Sequence, residues 1–307
     1  MTRLLEAGPI MTTPSVCGGS SPVPIPATEV HTVFSEHVGT EFQVWIAHPV
    51  PGIMPFPPGP RRVLYVLDAN LFFGTAVEMT RIMSQLYGEL PPLVVVGVAY
   101  PTDDPVLQAE LRARDFTPSS DSGFEEMAKR IPGAREPTLP EGERLGGAAR
   151  FLAFLRDELQ PFVRETVSVS ETGSTVFGSS LGGLFVLHAL FSEPDTFDSY
   201  IATSPAIWWD GEAVLGLEAQ RAASGDLDAA LVLAVGALEE NPQIPMLAQF
   251  KMVTNVNRME ETLSARKHAS LRLSRFVLEG ESHTSVVPVA LTRGLRAIYS
   301  RRSSSAR

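Results

Sequence analysis

Between Ser174 and Phe191 the chain reads STVFGSSLGGLFVLHALF. Two apolar runs that both demand burial are joined by six residues with almost no side-chain volume. Such a join leaves room for a compact packing turn or for a sharp bend that holds one hydroxyl out for chemistry. Gly178-Ser179-Ser180-Leu181-Gly182 fits G-x-S-x-G, a pattern that is weak alone because both residue types are common. Its setting is more specific. A strand signal, STVF, precedes it and a helix signal, LFVLHALF, follows it, which is the strand–turn–helix context of a nucleophile elbow. In that bend Ser180 takes strained backbone angles, and Gly178 and Gly182 give the clearance that flanking side chains would deny.

The rest of the chain supplies a matching frame. RRVLYVLDA (61–69) and PPLVVVGVAYP (91–101) are continuous apolar runs of the kind found in strands buried on both faces. Between them LFFGTAVEMTRIMSQLYG has helical spacing and ends at Gly88, a candidate C-cap. Strand, helix and strand at this spacing predict a βαβ unit and a mostly parallel sheet. TEFQVWIAHPV (40–50) reads as a strand before them. After the elbow, FDSYIATSPA, AALVLAVGALEE and SLRLSRFVLEG read as further strands, residues 246–267 as mostly helical, and SVVPVALTRGLRAIYS as a closing helix. GGAARFLAFLRDELQPFVRET is an amphipathic helix. Residues 102–146 form a long polar stretch, expected to be a substrate-covering insertion. Residues 1–28, rich in Pro, Gly, Ser and Thr, are expected to be a mobile arm, with Met11 an alternative start. Residues 29–307 are expected to form a single α/β domain with helices on both faces of the sheet.

Composition excludes several functions. The chain has 307 residues and a formal net charge of −10, with no like-charged block. That opposes nucleic-acid binding, where a basic stripe is expected. Cys17 is the single cysteine, so no intrachain disulfide or cysteine-based zinc site is available. No apolar run reaches membrane-spanning length and no signal-peptide core is visible. A cytoplasmic protein is expected, monomer or homodimer, with a small-molecule partner and no cofactor.

A serine hydroxyl needs a base near neutral pH, and the chain order expected after this elbow is Ser, acid, His. His283, in EGESHTSVV after the last strand, falls at the sheet edge where ligands bind in such folds. His188, within an apolar helix, reads as a packing residue, and His268 in RKHAS as an exposed one. For the acid, Glu239 beyond LVLAVGAL is preferred, with Glu240 and Asp210 as alternatives and a plain surface carboxylate as the bland reading. One oxyanion donor is the N–H of Leu181. The other comes from the turn after VLYVLDAN, near Ala69 and Asn70. Trp208 and Trp209, after TSPA, either wall an acyl or aromatic pocket or pack in the core.

Taken together, YVLDANLFF, VVVGVAYP, RARDFTPS, GGAARFLAFLRDELQPFV, FGSSLGGLFVLHALFSEPDTFDSYIATSPAIWW and GESHTSVVPVAL resemble the putative-esterase family. That family includes esterase D and the ferric enterobactin and related siderophore esterases. The resemblance runs from about Val30 to Tyr299. It implies an α/β-hydrolase fold, Ser180 as nucleophile and His283 as general base. It also implies that the acid is not uniform, so that a Ser–His dyad is an alternative to a triad with Glu239. Where relatives have Leu-Asp-Gly, this chain has Asp68-Ala69-Asn70 after Leu67, which makes Asn70 the expected oxyanion donor and places Asp68 beside the substrate. Arg112 or Arg114, in the RxRDxTP segment, would meet an anionic substrate, with a structural pair between Arg114 and Asp115 as the alternative. The expected activity is hydrolysis of a siderophore, short-chain or acyl-sugar ester through an acyl-enzyme. An acyltransferase on the same scaffold and a non-catalytic ligand-binding relative are the rivals.

Overall fold

The computed structural model describes residues 23–52, 55–86, 88–130 and 135–299. Most of the expected arm, with Met11 and Cys17, and the tail beyond Tyr299 lie outside them. The described end of the arm is fastened: the Pro26 carbonyl accepts from Arg81 Nη2 at 2.6 Å and Ile25 packs on the core.

The elements follow the chain as β1 (Thr28–Ser35), β2 (Thr40–Ala47), β3 (Arg62–Val66), α1 (Ala69–Gln85), β4 (Leu93–Ala99), α2 (Pro105–Phe116) and α3 (Ser122–Lys129). A long helical stretch comes next: α4 (Ala148–Ala153), one π-helical segment (Phe154–Leu159) and α5 (Gln160–Thr166). Then come β5 (Thr175–Ser179), α6 (Leu181–Ser192), β6 (Ser199–Thr203), α7 (Trp209–Ala222), β7 (Ala230–Gly236), α8 (Pro245–Ala248), α9 (Met252–Arg266), β8 (Arg272–Leu278) and α10 (Val286–Tyr299).

The strands form an eight-stranded sheet in the order β1-β2-β4-β3-β5-β6-β7-β8. β1 and β2 run antiparallel to their neighbours, and β4, β3 and β5 to β8 are parallel. Alternation along each central strand feeds two cores. Val63, Tyr65 and Leu67 face one layer, whereas Leu64 and Val66 face the other. The first layer is covered by α2, the α4–α5 stretch, α6, α7 and α9, and the second by α1 and α10. The chain leaves β3 toward β4 and leaves β5 toward β6. Neighbouring strands β3 and β5 are therefore a topological switch point, and their C-terminal ends open the crevice where doubly wound sheets bind ligands.

Two local expectations are corrected and one strand is added. β1 is a strand although its sequence carries no clear signal: it is an edge strand with half of its residues exposed. Residues 102–146 are not a continuous loop but contain α2 and α3, each started by an aspartate N-cap, Asp104 on the Val106 N–H and Asp121 on the Phe124 N–H. The helix after β3 ends at Gln85 with Leu86 as its C-cap, and Gly88 lies beyond it with φ +63°.

Candidate active site

Ser180 joins β5 to α6 with φ 59° and ψ −118°, a conformation that costs a non-glycine residue energy. The bend is held by backbone bonds on three sides. Ser180 N–H donates to the Thr203 carbonyl at 3.0 Å, while the Ser180 carbonyl accepts from Leu184 at 2.9 Å and Ala206 at 3.1 Å. The glycines around it are steric requirements. A Cβ at Gly178 would sit 2.3 Å from the Gly182 carbonyl oxygen, and one at Gly183 would sit 2.7 Å from that of Thr203. Leu181 opens α6, so its N–H has no intrahelical acceptor and lies at the positive end of the helix.

His283 and Glu239 are brought together from loops after β8 and β7. His283 Nδ1 and Glu239 Oε2 are 2.6 Å apart. The carboxylate is buried, and its other oxygen accepts from Ser204 Oγ at 2.5 Å and from the Gly236 N–H at 2.7 Å. An acid held by three donors keeps one orientation, and it fixes the imidazole with Nδ1 inward. Among the described residues none bonds Nε2, and the side chain is 43% exposed. The His283 loop lies over the end of β7: Leu238 N–H donates to the Glu281 carbonyl at 3.0 Å, and a Cβ at Gly236 would strike that same oxygen. Ser204, with φ 43°, connects this pair to the elbow, because the Ala206 N–H two residues on holds the Ser180 carbonyl. No sequence signal marks Ser204.

The alternatives are engaged elsewhere. Glu240 binds the Thr254 N–H and hydroxyl at 2.7 and 2.6 Å and so caps α9. Asp210 is exposed in a left-handed turn at the start of α7, its N–H donating to Asp121 Oδ2. His188 is buried in α6, where burial pushes its imidazole down to about 4. His268 was expected to be exposed. Its ring is instead tucked 3.5 Å from Asp226 Oδ1, ahead of β8 at the opposite sheet edge.

At the end of β3, Asp68 takes φ 52° and Asn70 lies in the first turn of α1. The Asn70 side chain clamps the end of β4, accepting from the Tyr100 N–H at 2.8 Å and donating to its carbonyl at 3.1 Å. Asp68 and Arg112 pair with each other: Nε and Nη2 of Arg112 reach the two carboxylate oxygens at 2.8 and 2.9 Å. Arg114 does not face the site. Its guanidinium is buried and held by both Asp115 oxygens at 2.7 and 2.9 Å, the structural-pair alternative. Tyr100 also donates to Asp115, and burial, reinforced by the Asp115 charge, pushes its hydroxyl well above the ordinary tyrosine value. The two tryptophans separate. Trp209 is fully buried, with Nε1 donating to the Ser119 carbonyl, and belongs to the core. Trp208 is half-buried, its ring 4.7 Å from that of Phe250 and 6.4 Å from that of Phe124.

Similarity to known proteins names the family of the chain. The model of the family described as "Putative esterase" matches residues 50–271, which include Ser180 and Glu239 and stop short of His283. The chain belongs to that family. As a member of the esterase family it is an ester hydrolase with the α/β-hydrolase fold. It is 34% identical over 285 residues to the ferri-bacillibactin esterase BesA of Bacillus subtilis, covering 91% of this chain and 92% of that protein. It is also 34% identical over 253 residues to the siderophore enterobactin esterase of Emericella nidulans, covering 76% and 80%. Among solved structures, the BES protein from Bacillus cereus superposes with a TM-score of 0.75 at 32% identity, covering 93% of this chain and 99% of that one. Among the described residues, no helix of this esterase is long and apolar enough to cross a membrane.

Proposed function

We propose that this esterase cleaves the ester bonds of iron-carrying siderophores by an acyl-enzyme mechanism with Ser180 as nucleophile, His283 as base and Glu239 as the orienting acid. The observation that carries the reading is the short His283–Glu239 contact, laid at the same sheet edge as a strained serine. The substrate class is supported by the names of relatives 34% identical over most of the chain.

His283 Nε2 accepts the Ser180 proton as Oγ bonds to the ester carbonyl carbon. The negative oxygen so formed is held by the N–H groups of Leu181 and Asn70. When the tetrahedral species collapses, the carbon–alkoxy bond breaks and His283 gives its proton to the leaving alcohol. A water then repeats the sequence, releasing the carboxylic acid and restoring Ser180. Trp208, with Phe250 and Phe124 beside it, supplies an aromatic wall for the substrate, and α2 and α3 cover the site. The single cysteine is consistent with work in the cytoplasm.

The test is Ser180→Ala. It should abolish hydrolysis of both p-nitrophenyl butyrate and a ferric tris-catecholate trilactone, and abolish labelling by a fluorophosphonate, with the thermal midpoint preserved. Turnover retained in that variant removes Ser180 from the mechanism. Wild-type turnover of the butyrate without the trilactone removes the siderophore reading alone.

A further inference from the structure

The Asp68–Arg112 pair sits where the second oxyanion donor would be spoiled most easily. Asp68 is the N-cap residue of α1. An aspartate there ordinarily accepts from the N–H of the second or third helical residue, here Asn70 or Leu71. The Asp68 carboxylate makes no such bond. The Leu71 and Phe72 N–H groups are instead taken by the Asp68 backbone carbonyl at 2.8 and 3.0 Å, which leaves Asn70 as the donor the carboxylate would seek. The carboxylate is instead taken up in the two-pronged grip of Arg112. The same guanidinium lies over the Phe116 ring at 5.6 Å and approaches the Ser179 carbonyl, just before the nucleophile, at 3.5 Å. A Cβ at Gly182 would touch Asp68 Oδ2 at 3.4 Å, so the pair is wedged against the elbow.

We infer that Arg112 is a positioning residue that restrains the Asp68 carboxylate from capping α1 and thereby keeps the Asn70 N–H open for the oxyanion. The inference rests on the proposed acyl-enzyme reading of the site. Without the guanidinium, the carboxylate would swing onto the Asn70 N–H, consume the donor and bring a negative charge to the place where one must develop.

The experiment compares Arg112→Met with the double variant Arg112→Met/Asp68→Gly, glycine being suited to φ 52°. On both p-nitrophenyl butyrate and the anionic ferric trilactone, Arg112→Met should lower kcat by about 10- to 100-fold, less than the loss on deleting a donor outright. KM should stay unchanged. Removing the freed carboxylate in the double variant should return most of the lost kcat. Arg112→Lys, which keeps the charge but loses the fork, should show a smaller fall with the same rescue, and it answers the question if Arg112→Met does not fold. A double variant no faster than the single overturns the inference. So does a loss confined to the KM of the anionic ester, which would make Arg112 a substrate contact. Failure of the acyl-enzyme reading is distinguished by Ser180→Ala retaining turnover.

Discussion

Glu239 and Glu240 are adjacent and chemically identical, yet their surroundings divide them. Glu239 is buried under three donors, one of them His283, whereas Glu240 turns outward to the start of α9. Glu239→Gln is therefore expected to lower kcat by roughly 10³-fold or more, because an amide in that place favours the wrong imidazole tautomer. Glu240→Ala should leave kcat intact and cost about 1 kcal/mol through the lost cap. Steady-state kinetics with chemical denaturation of both variants checks the contrast, and equal activities would favour the Ser–His dyad. Sequence order pointed to Glu239, but residues 239 and 240 share one charge and one local context. Only the direction each side chain takes from the short turn after β7 separates them.

At the scale of elements, the turn proposed to hold the oxyanion depends on how closely α1 lies on the sheet. A Cβ added at Gly97 in β4 would stand 2.7 Å from Ala69 Cβ and 2.7 Å from the Phe73 ring. Gly97→Ala must lift α1, at a cost of about 1–3 kcal/mol. It also displaces the turn beside Asn70, and an ångström of misplacement in such machinery costs up to about 10²-fold in rate. Denaturation midpoint and kcat should fall together, and an unchanged kcat would detach α1 from the oxyanion site. The buried strands were readable because β3, β4 and β7 are apolar on both faces. β1 was not, since an edge strand has one face to solvent and its apolar residues Val30 and Phe34 are exposed. α3 was not either, since none of its residues is buried. The aspartates at 104 and 121 were the available signal for α2 and α3, and Asp104-Pro105 carried it most plainly.

For the molecule as a whole, acid stability has a named contributor. The His188 ring is enclosed by the core on which α6 packs, with Nε2 buried and unbonded among the described residues and Nδ1 3.5 Å from Ser192 Oγ. Burial lowers its value from 6.5 to about 4 in the folded protein. Below pH 6.5 the unfolded chain takes up a proton that the native state refuses. The contribution is thus full above pH 6.5, is lost as pH falls toward 4, and is flat below that. Between pH 7 and 4.5 it amounts to about 2–3 kcal/mol at 1.36 kcal/mol per unit. Urea denaturation at those two values should show His188→Leu losing less stability than wild type by that amount, and equal losses would mean the ring takes up its proton in the fold as readily as in the unfolded chain.

The same contrast marks the limit of what the sequence by itself determined. It specified a mostly parallel sheet, the bend at Ser180 and His283 as the histidine expected beside the acid, because burial on both faces, steric clearance and chain order are written in local residue patterns. Tertiary structure settled what the sequence left open: Glu239, preferred over Glu240, meets His283, Trp209 packs inward beside the half-buried Trp208, and Arg112 grips Asp68 while Arg114 turns to Asp115. Those choices depend on side-chain direction and, for Glu239, Trp209 and Arg112, on partners tens of residues away. Strand order and helix packing set both, and neither leaves a periodic trace in the chain.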